Sequence, residues 1–127
     1  MDDQKDVNIL YVDDEEFNLF LFKANFRGKY NIFTAKSGVE ALEFLDKNYQ
    51  DIFLVITDMR MPSMDGVEFV RRSRAKYQGL RYFILSGFDH NENILQAVKE
   101  NMIDRYFTKP FEMSEIEEAI DLALKER

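Results

Sequence analysis

The chain contains no cysteine. That removes a disulfide framework and any thiolate metal site. It also has no long hydrophobic run: every apolar stretch falls far short of the ~20 residues needed to cross a bilayer as a helix. The first six residues, Met1-Asp2-Asp3-Gln4-Lys5-Asp6, are acidic and have no apolar segment behind them. They do not read as a secretory signal, but as a short acidic extension (1–6) ahead of one domain at 7–127. A soluble, cytoplasmic protein is expected. Positive charge is in deficit, with 17 Lys and Arg against 24 Asp and Glu and a formal net charge of -7. Such a surface repels phosphate backbones, which argues against direct nucleic-acid binding. The single basic cluster, Arg71-Arg72-Ser73-Arg74, reads as a solvated helix face. Histidine occurs once, as His90 in the polar stretch Asp89-His90-Asn91-Glu92. A surface loop or helix-start residue explains it better than a metal ligand or phosphate carrier. No repeat, linker or low-complexity segment is present.

What remains is a chain of 127 residues, 46% of them hydrophobic. That suits one folded domain with a real core and excludes disorder. Strand-like and helix-like segments alternate along it. Strands are predicted at 7–12, 30–34, 52–57, 81–85 and 103–107. Helices are predicted at 15–26, from Ser37 onward, and at 67–77, 91–100 and 114–125. Ser37 with Glu40 three residues later makes a capping box. Asp65 can cap the third helix, and Gly79 separates that helix from the fourth strand. Apolar residues recur at helical spacing as Val39, Leu42 and Leu45, as Ile94, Leu95 and Val98, and as Ile116, Ala119, Ile120 and Ala123. Five strands alternating with five helices predict an α/β domain: a doubly wound parallel sheet, helices on both faces, right-handed crossovers. Sites in such folds lie outside the carboxyl ends of the strands, where strand order reverses.

The first helix carries two apolar stripes on roughly opposite sides. Phe17, Phe20, Leu21 and Ala24 form one; Leu19, Phe22 and Phe26 form the other. Only one stripe can face the sheet fully. The simpler expectation is that the phenylalanines of the second stripe fold back over the core edge. The alternative makes that stripe a partner-docking or dimer surface.

Asp58 concentrates the chemistry. It follows the apolar run Ile52-Phe53-Leu54-Val55-Ile56 and Thr57, which reads as a strand buried on both faces. Three other runs also end on reactive residues: Asp13-Asp14, Ser86, and Thr108-Lys109-Pro110. Asp13, Asp14 and Asp58 would bring three carboxylates into one cleft, where each like-charge pair costs roughly 1 kcal/mol at ~4 Å in water and more at lower dielectric. A hard divalent cation relieves this; Mg²⁺ suits carboxylate, carbonyl and water ligands, and Mn²⁺ fits the same set. Lys109 adds a fixed positive charge. A carboxylate so placed can attack phosphorus and form an aspartyl phosphate, and Ser86 offers a hydroxyl to the attached group.

These motifs resemble the receiver domain of two-component response regulators. They are Val12-Asp13-Asp14-Glu15, Thr57-Asp58-Met59-Arg60-Met61-Pro62 with Asp65-Gly66, Leu85-Ser86-Gly87, and Tyr106-Phe107-Thr108-Lys109-Pro110-Phe111. The resemblance runs from Val7 to about Lys125. It implies a flavodoxin-like sheet of order 2-1-3-4-5. It implies that Asp58 accepts a phosphoryl group from a phosphohistidine on a sensor histidine kinase or histidine phosphotransfer protein, or from a small phosphodonor. Asp14 and Asp58 would ligate Mg²⁺ directly, Asp13 largely through water, and the backbone carbonyl of Arg60 would complete the protein ligands. Ser86 would bond the phosphoryl group, Lys109 would pair with it, and Tyr106 matches an aromatic switch position. Lys109-Pro110 would be a cis peptide. The output implied is a switched surface that docks an effector domain or protein, or a second receiver. Gly87 stands where Ala is more usual, and Arg60 and Phe88 occupy positions that govern how water reaches the acyl phosphate.

Other readings of the same residues are weaker. Asp13-Asp14-Glu15-Glu16 could be a charged helix start, Ser86 a turn residue, Lys109 a solvated end charge, and Tyr106 plain core. Met59, Met61 and Met64 read as gap-fillers beside the cleft. An Asp-nucleophile phosphatase of the haloacid-dehalogenase type would need a second Asp where Arg60 stands. A flavin or nucleotide site would need a phosphate loop after the first strand, and acids stand there instead. A degenerate receiver acting without phosphorylation is disfavoured by the complete set Asp13, Asp14, Asp58, Ser86 and Lys109. Apart from its own phosphorylation and dephosphorylation, the domain is not expected to be an enzyme.

Overall fold

The computed structural model of the chain describes residues 6–87 and 92–126. Expectations for Phe88 and His90 lie outside the described residues. The elements run β1 (Asn8–Val12), α1 (Glu16–Asn25), β2 (Asn31–Ala35), α2 (Gly38–Asn48), β3 (Leu54–Asp58), α3 (Gly66–Lys76), β4 (Arg81–Ser86), α4 (Glu92–Lys99), β5 (Arg105–Thr108) and α5 (Met113–Glu126). A single 3₁₀ turn, Tyr49–Asp51, lies between α2 and β3. The five strands are all parallel and ordered β2-β1-β3-β4-β5.

Alternating side chains of the central strands feed two separate core layers. Leu10, Val12, Val55, Tyr82 and Ile84 pack with α2, α3 and α4. Ile9, Tyr11, Leu54, Ile56, Phe83 and Leu85 pack with α1 and α5. This is why β3 reads as an unbroken apolar run: both of its faces are covered. Boundaries moved slightly. Ile52 and Phe53 precede the β3 ladder rather than opening it, and β5 begins at Arg105 rather than 103. There Asp104 already bonds the backbone of Tyr82 through its own N–H and its carboxylate.

Helix starts follow local chemistry. Ser37 Oγ accepts the Glu40 N–H at 3.0 Å, but the Glu40 carboxylate accepts from Lys36 N rather than closing on Ser37. Asp65 Oδ1 accepts the Glu68 N–H at 2.8 Å, as expected of a cap on α3. Gly79 adopts φ +87°, a conformation that favours glycine, on the way into β4. The expected apolar face of α5 is fully buried at Ile116, Ala119, Ile120 and Ala123. In α2 and α4 the buried faces turn toward Gly38, Ala41 and Leu45 and toward Ile94 and Ala97, leaving Val39 and Leu95 exposed.

The first helix inverts the expectation. Leu19, Phe22 and Phe26 are its core face. Phe17 and Phe20 stand 68% and 65% exposed, with Leu21 and Ala24 also outside, so no ring folds back over the core. The unburied stripe is the one holding Phe17 and Phe20. In the basic cluster on α3, Arg71 and Arg72 stay exposed and pair with Glu100 and Glu68, as a solvated face predicts, while Ser73 is buried against Tyr82 and Arg74 Nε donates to the Met102 carbonyl. Among the described residues, no helix is long and apolar enough to cross a membrane.

Candidate functional site

Strand order reverses between β1 and β3, and the ladder sets Val12 opposite Thr57 there. The next residue on each strand is an aspartate. Asp13, Asp14 and Asp58 each bring a carboxylate oxygen within 4.8 Å of the others. Asp13 is fully buried, Asp58 is 7% exposed, and Asp14 faces solvent. Oxygen-only donors gathered this closely suit a hard divalent cation.

The fourth strand end, one ladder rung further, carries Ser86. The Met59 N–H donates to the Leu85 carbonyl, and the Lys109 N–H donates to the Ser86 carbonyl. Both bonds tie the loops after β3 and β5 to β4. Lys109 Nζ then reaches Asp58 Oδ1 at 2.7 Å. The Lys109-Pro110 bond is cis, as the motif implied. Burial pushes the Asp58 pKa up; Lys109 opposes this, and the nearby charges of Asp13 and Asp14 add to it. Ser86 is buried and its hydroxyl donates to the Gly87 carbonyl at 3.1 Å. Tyr106 is 39% exposed and lines an external groove between β5 and α5. Arg60 lies in the exposed turn after β3.

That turn is held closed by backbone contact. The Gly66 N–H donates to the Met59 carbonyl at 2.9 Å. A Cβ on Gly66 would sit 2.7 Å from the Asp58 carbonyl oxygen, so only glycine lets α3 begin this close to β3. Met59, Met61 and Met64 are buried in the core beneath the cleft, as gap-filling predicts.

Two contacts were not foreseen. The Tyr11 hydroxyl donates to Asp13 Oδ2 at 2.7 Å, and Asn18 Nδ2 donates to the same oxygen at 3.2 Å. The signal for Tyr11 was available, since residues i and i+2 of a strand share a face. Burial pushes the Tyr11 pKa up, and the bond to Asp13 adds to the shift, so the hydroxyl stays a donor. Asp13 Oδ1 also accepts the Glu15 N–H at 3.0 Å. The helix-start reading of these acids is therefore partly true: one member does satisfy a backbone donor beside α1.

Fold and site together define a class, the flavodoxin-like α/β domains with an acidic cluster at the strand ends where the winding reverses. Within that class the chain belongs to the response regulator receiver domain family, whose profile matches residues 9–121. It is similar to sporulation initiation phosphotransferase F of Bacillus subtilis (strain 168), 33% identical over 113 residues that cover 88% of this chain and 89% of that protein. It also matches the transcriptional regulatory protein ZraR of Salmonella typhimurium at 31% identity, but spans 26% of that longer protein while 93% of this chain is covered. Among solved structures, a response regulator receiver domain protein from Clostridium thermocellum superposes with a TM-score of 0.86 at 30% identity, covering 94% of this chain and 95% of that one.

Proposed function

We propose that this domain is a phosphorylation-controlled switch in which Asp58 accepts a phosphoryl group. The observation that carries the reading is the placement of Asp58: at a strand end, within 4.8 Å of Asp13 and Asp14, and 2.7 Å from Lys109. Mg²⁺, or Mn²⁺ in its place, fits this all-oxygen donor set, with Asp14 and Asp58 as direct ligands, Asp13 largely through water, and the Arg60 carbonyl completing the protein's share. When bound, the ion offsets the carboxylate charge and that of the incoming phosphoryl oxygens.

One oxygen of Asp58 attacks the phosphorus of a phosphohistidine, or of a small acyl phosphate. The new O–P bond forms as the P–N bond (or the donor's O–P bond) breaks. The bonding pair leaves with the histidine nitrogen or the carboxylate. Lys109 then exchanges its carboxylate partner for the phosphoryl oxygens. The Ser86 hydroxyl leaves the Gly87 carbonyl to donate to the phosphoryl group, and Tyr106 turns inward from its exposed position. The surface that changes is the one around α4 and β5, which docks an effector or a second receiver. The phosphodonor is a sensor histidine kinase or a histidine phosphotransfer protein. It approaches across α1, whose first turn follows Asp14 directly and presents Phe17 and Phe20. The domain turns over no other substrate.

Intact mass after incubation with acetyl phosphate and Mg²⁺ tests the reading. The expected result is a gain of one phosphoryl group, absent in Asp58→Asn. Full modification of that variant would move the nucleophile elsewhere. No modification of the parent chain would favour a receiver that binds partners without phosphorylation.

A further inference from the structure

The acidic cluster leaves two of its neighbours without a role. Tyr11 and Asn18 both donate to Asp13 Oδ2, at 2.7 and 3.2 Å, while the Glu15 N–H takes Oδ1 at 3.0 Å. Asp13 is 0% exposed, so these three donors replace its water. A carboxylate has about four lone-pair sites. Both on Oδ2 are engaged and one on Oδ1, so among the described residues the site left without a donor belongs to Oδ1.

Neither donor is free to drift. The Tyr11 ring lies parallel to that of Phe22, with centroids 4.0 Å apart and planes within 6°. Both rings are buried. Asn18 and Phe22 are both residues of α1, one turn apart. The carboxylate is therefore gripped from β1 and α1 together. All three donors are neutral, so they orient Asp13 and leave its negative charge uncancelled for the cation.

We propose that Tyr11 and Asn18 are positioning residues of the metal centre, which hold Asp13 so that Oδ1 alone faces the ion or one of its waters. The inference rests on the magnesium reading above. Hydrogen bonds that orient a metal's ligands are worth about 10- to 100-fold in affinity. A purely structural role would instead lower stability and leave metal affinity alone.

Isothermal titration with MgCl₂ distinguishes the two, using the parent, Tyr11→Phe and Asn18→Ala. Tyr11→Phe keeps the ring stack and removes only the hydroxyl. Both variants are expected to bind Mg²⁺ about 10-fold or more weakly than the parent. The Mg²⁺ concentration for half-maximal phosphorylation by acetyl phosphate rises by the same factor. Variants that match the parent's affinity overturn the proposal, whatever their melting temperatures. Should Tyr11→Phe fold poorly, Asn18→Ala, at a half-buried site, decides alone. A parent chain with no affinity for Mg²⁺ overturns the underlying reading itself, a result distinct from unchanged variants.

Discussion

Replacing Asp58 with asparagine will stabilise the metal-free protein at neutral pH. Asp58 shares its cleft with two carboxylates whose oxygens lie within 4.8 Å and faces one ammonium at 2.7 Å. At an effective dielectric of about 20, repulsion at that separation is about 3.5 kcal/mol per carboxylate and attraction to Lys109 about 6 kcal/mol. Repulsion and attraction therefore nearly cancel. Desolvation of a carboxylate only 7% exposed then tips the balance against the ionised form, in line with its raised pKa. The native state keeps this proton to higher pH than the unfolded chain does. Between the unfolded value of about 3.9 and the raised native one, the native state binds more protons, so stability falls as pH rises. The Asp58→Asn variant has no such proton to lose. Each pKa unit corresponds to about 1.36 kcal/mol. For 127 residues, an unfolding entropy of about 2.1 cal/mol/K per residue converts that to about 5 °C. Calorimetric melts of both proteins in EDTA, from about pH 3.5 to about pH 7.5, test this. The two should converge at the acid end, with the variant melting progressively higher toward neutrality. A variant that melts below the parent at pH 7 would show the Lys109 pair outweighing burial, and the electrostatic account of the site would fail.

Three further outcomes follow from the same geometry. Mg²⁺ at 100 times its dissociation constant will add about 2.7 kcal/mol to the parent, read as a rise in Tm of about 10 °C; Asp58→Asn should lose most of this rise, and an unshifted parent would refute a metal site. Gly66→Ala will cost about 1–3 kcal/mol in denaturant melts and slow phosphorylation by acetyl phosphate, because the added Cβ meets backbone rather than a yielding side chain; unchanged stability would mean that α3 is free to retreat. Phe17→Ala with Phe20→Ala will leave denaturant stability within about 0.5 kcal/mol per site and leave labelling by acetyl phosphate intact, while slowing transfer from a phosphohistidine partner; equal transfer rates would remove α1 from the docking surface.

The sheet and the clustered site were legible because four of the five strands, all but β2, end their apolar runs on a residue with polar chemistry. In a doubly wound fold those ends must meet. Asp58, Lys109 and Ser86 could be placed from that rule without any knowledge of side-chain contacts. The rotation of α1 could not. Both of its stripes are apolar at helical spacing, so hydrophobicity selects neither. What settles it is Phe22 lying on Tyr11 and Asn18 reaching Asp13, two contacts between segments that no local pattern connects. Leu95 and Val39 sit at helical spacing with buried residues yet stay exposed, for a related reason. Ala97 and Ala41 are buried in a core cluster shared with residues of other elements, which local spacing does not reveal. The shifted capping arm, from Glu40 to Lys36, is likewise a matter of side-chain reach rather than residue type.

β3 is flanked by strands on both sides and covered on both faces. Its amides should exchange with deuterium only when the whole domain opens, whereas the edges at β2 and β5 can fray first. Asp58, the proposed phosphoacceptor, is thus carried by the last piece of the chain to come apart. Local breathing at the sheet edges need not disturb it, so the outer strands can loosen and re-form while the Asp58 carboxylate stays aligned.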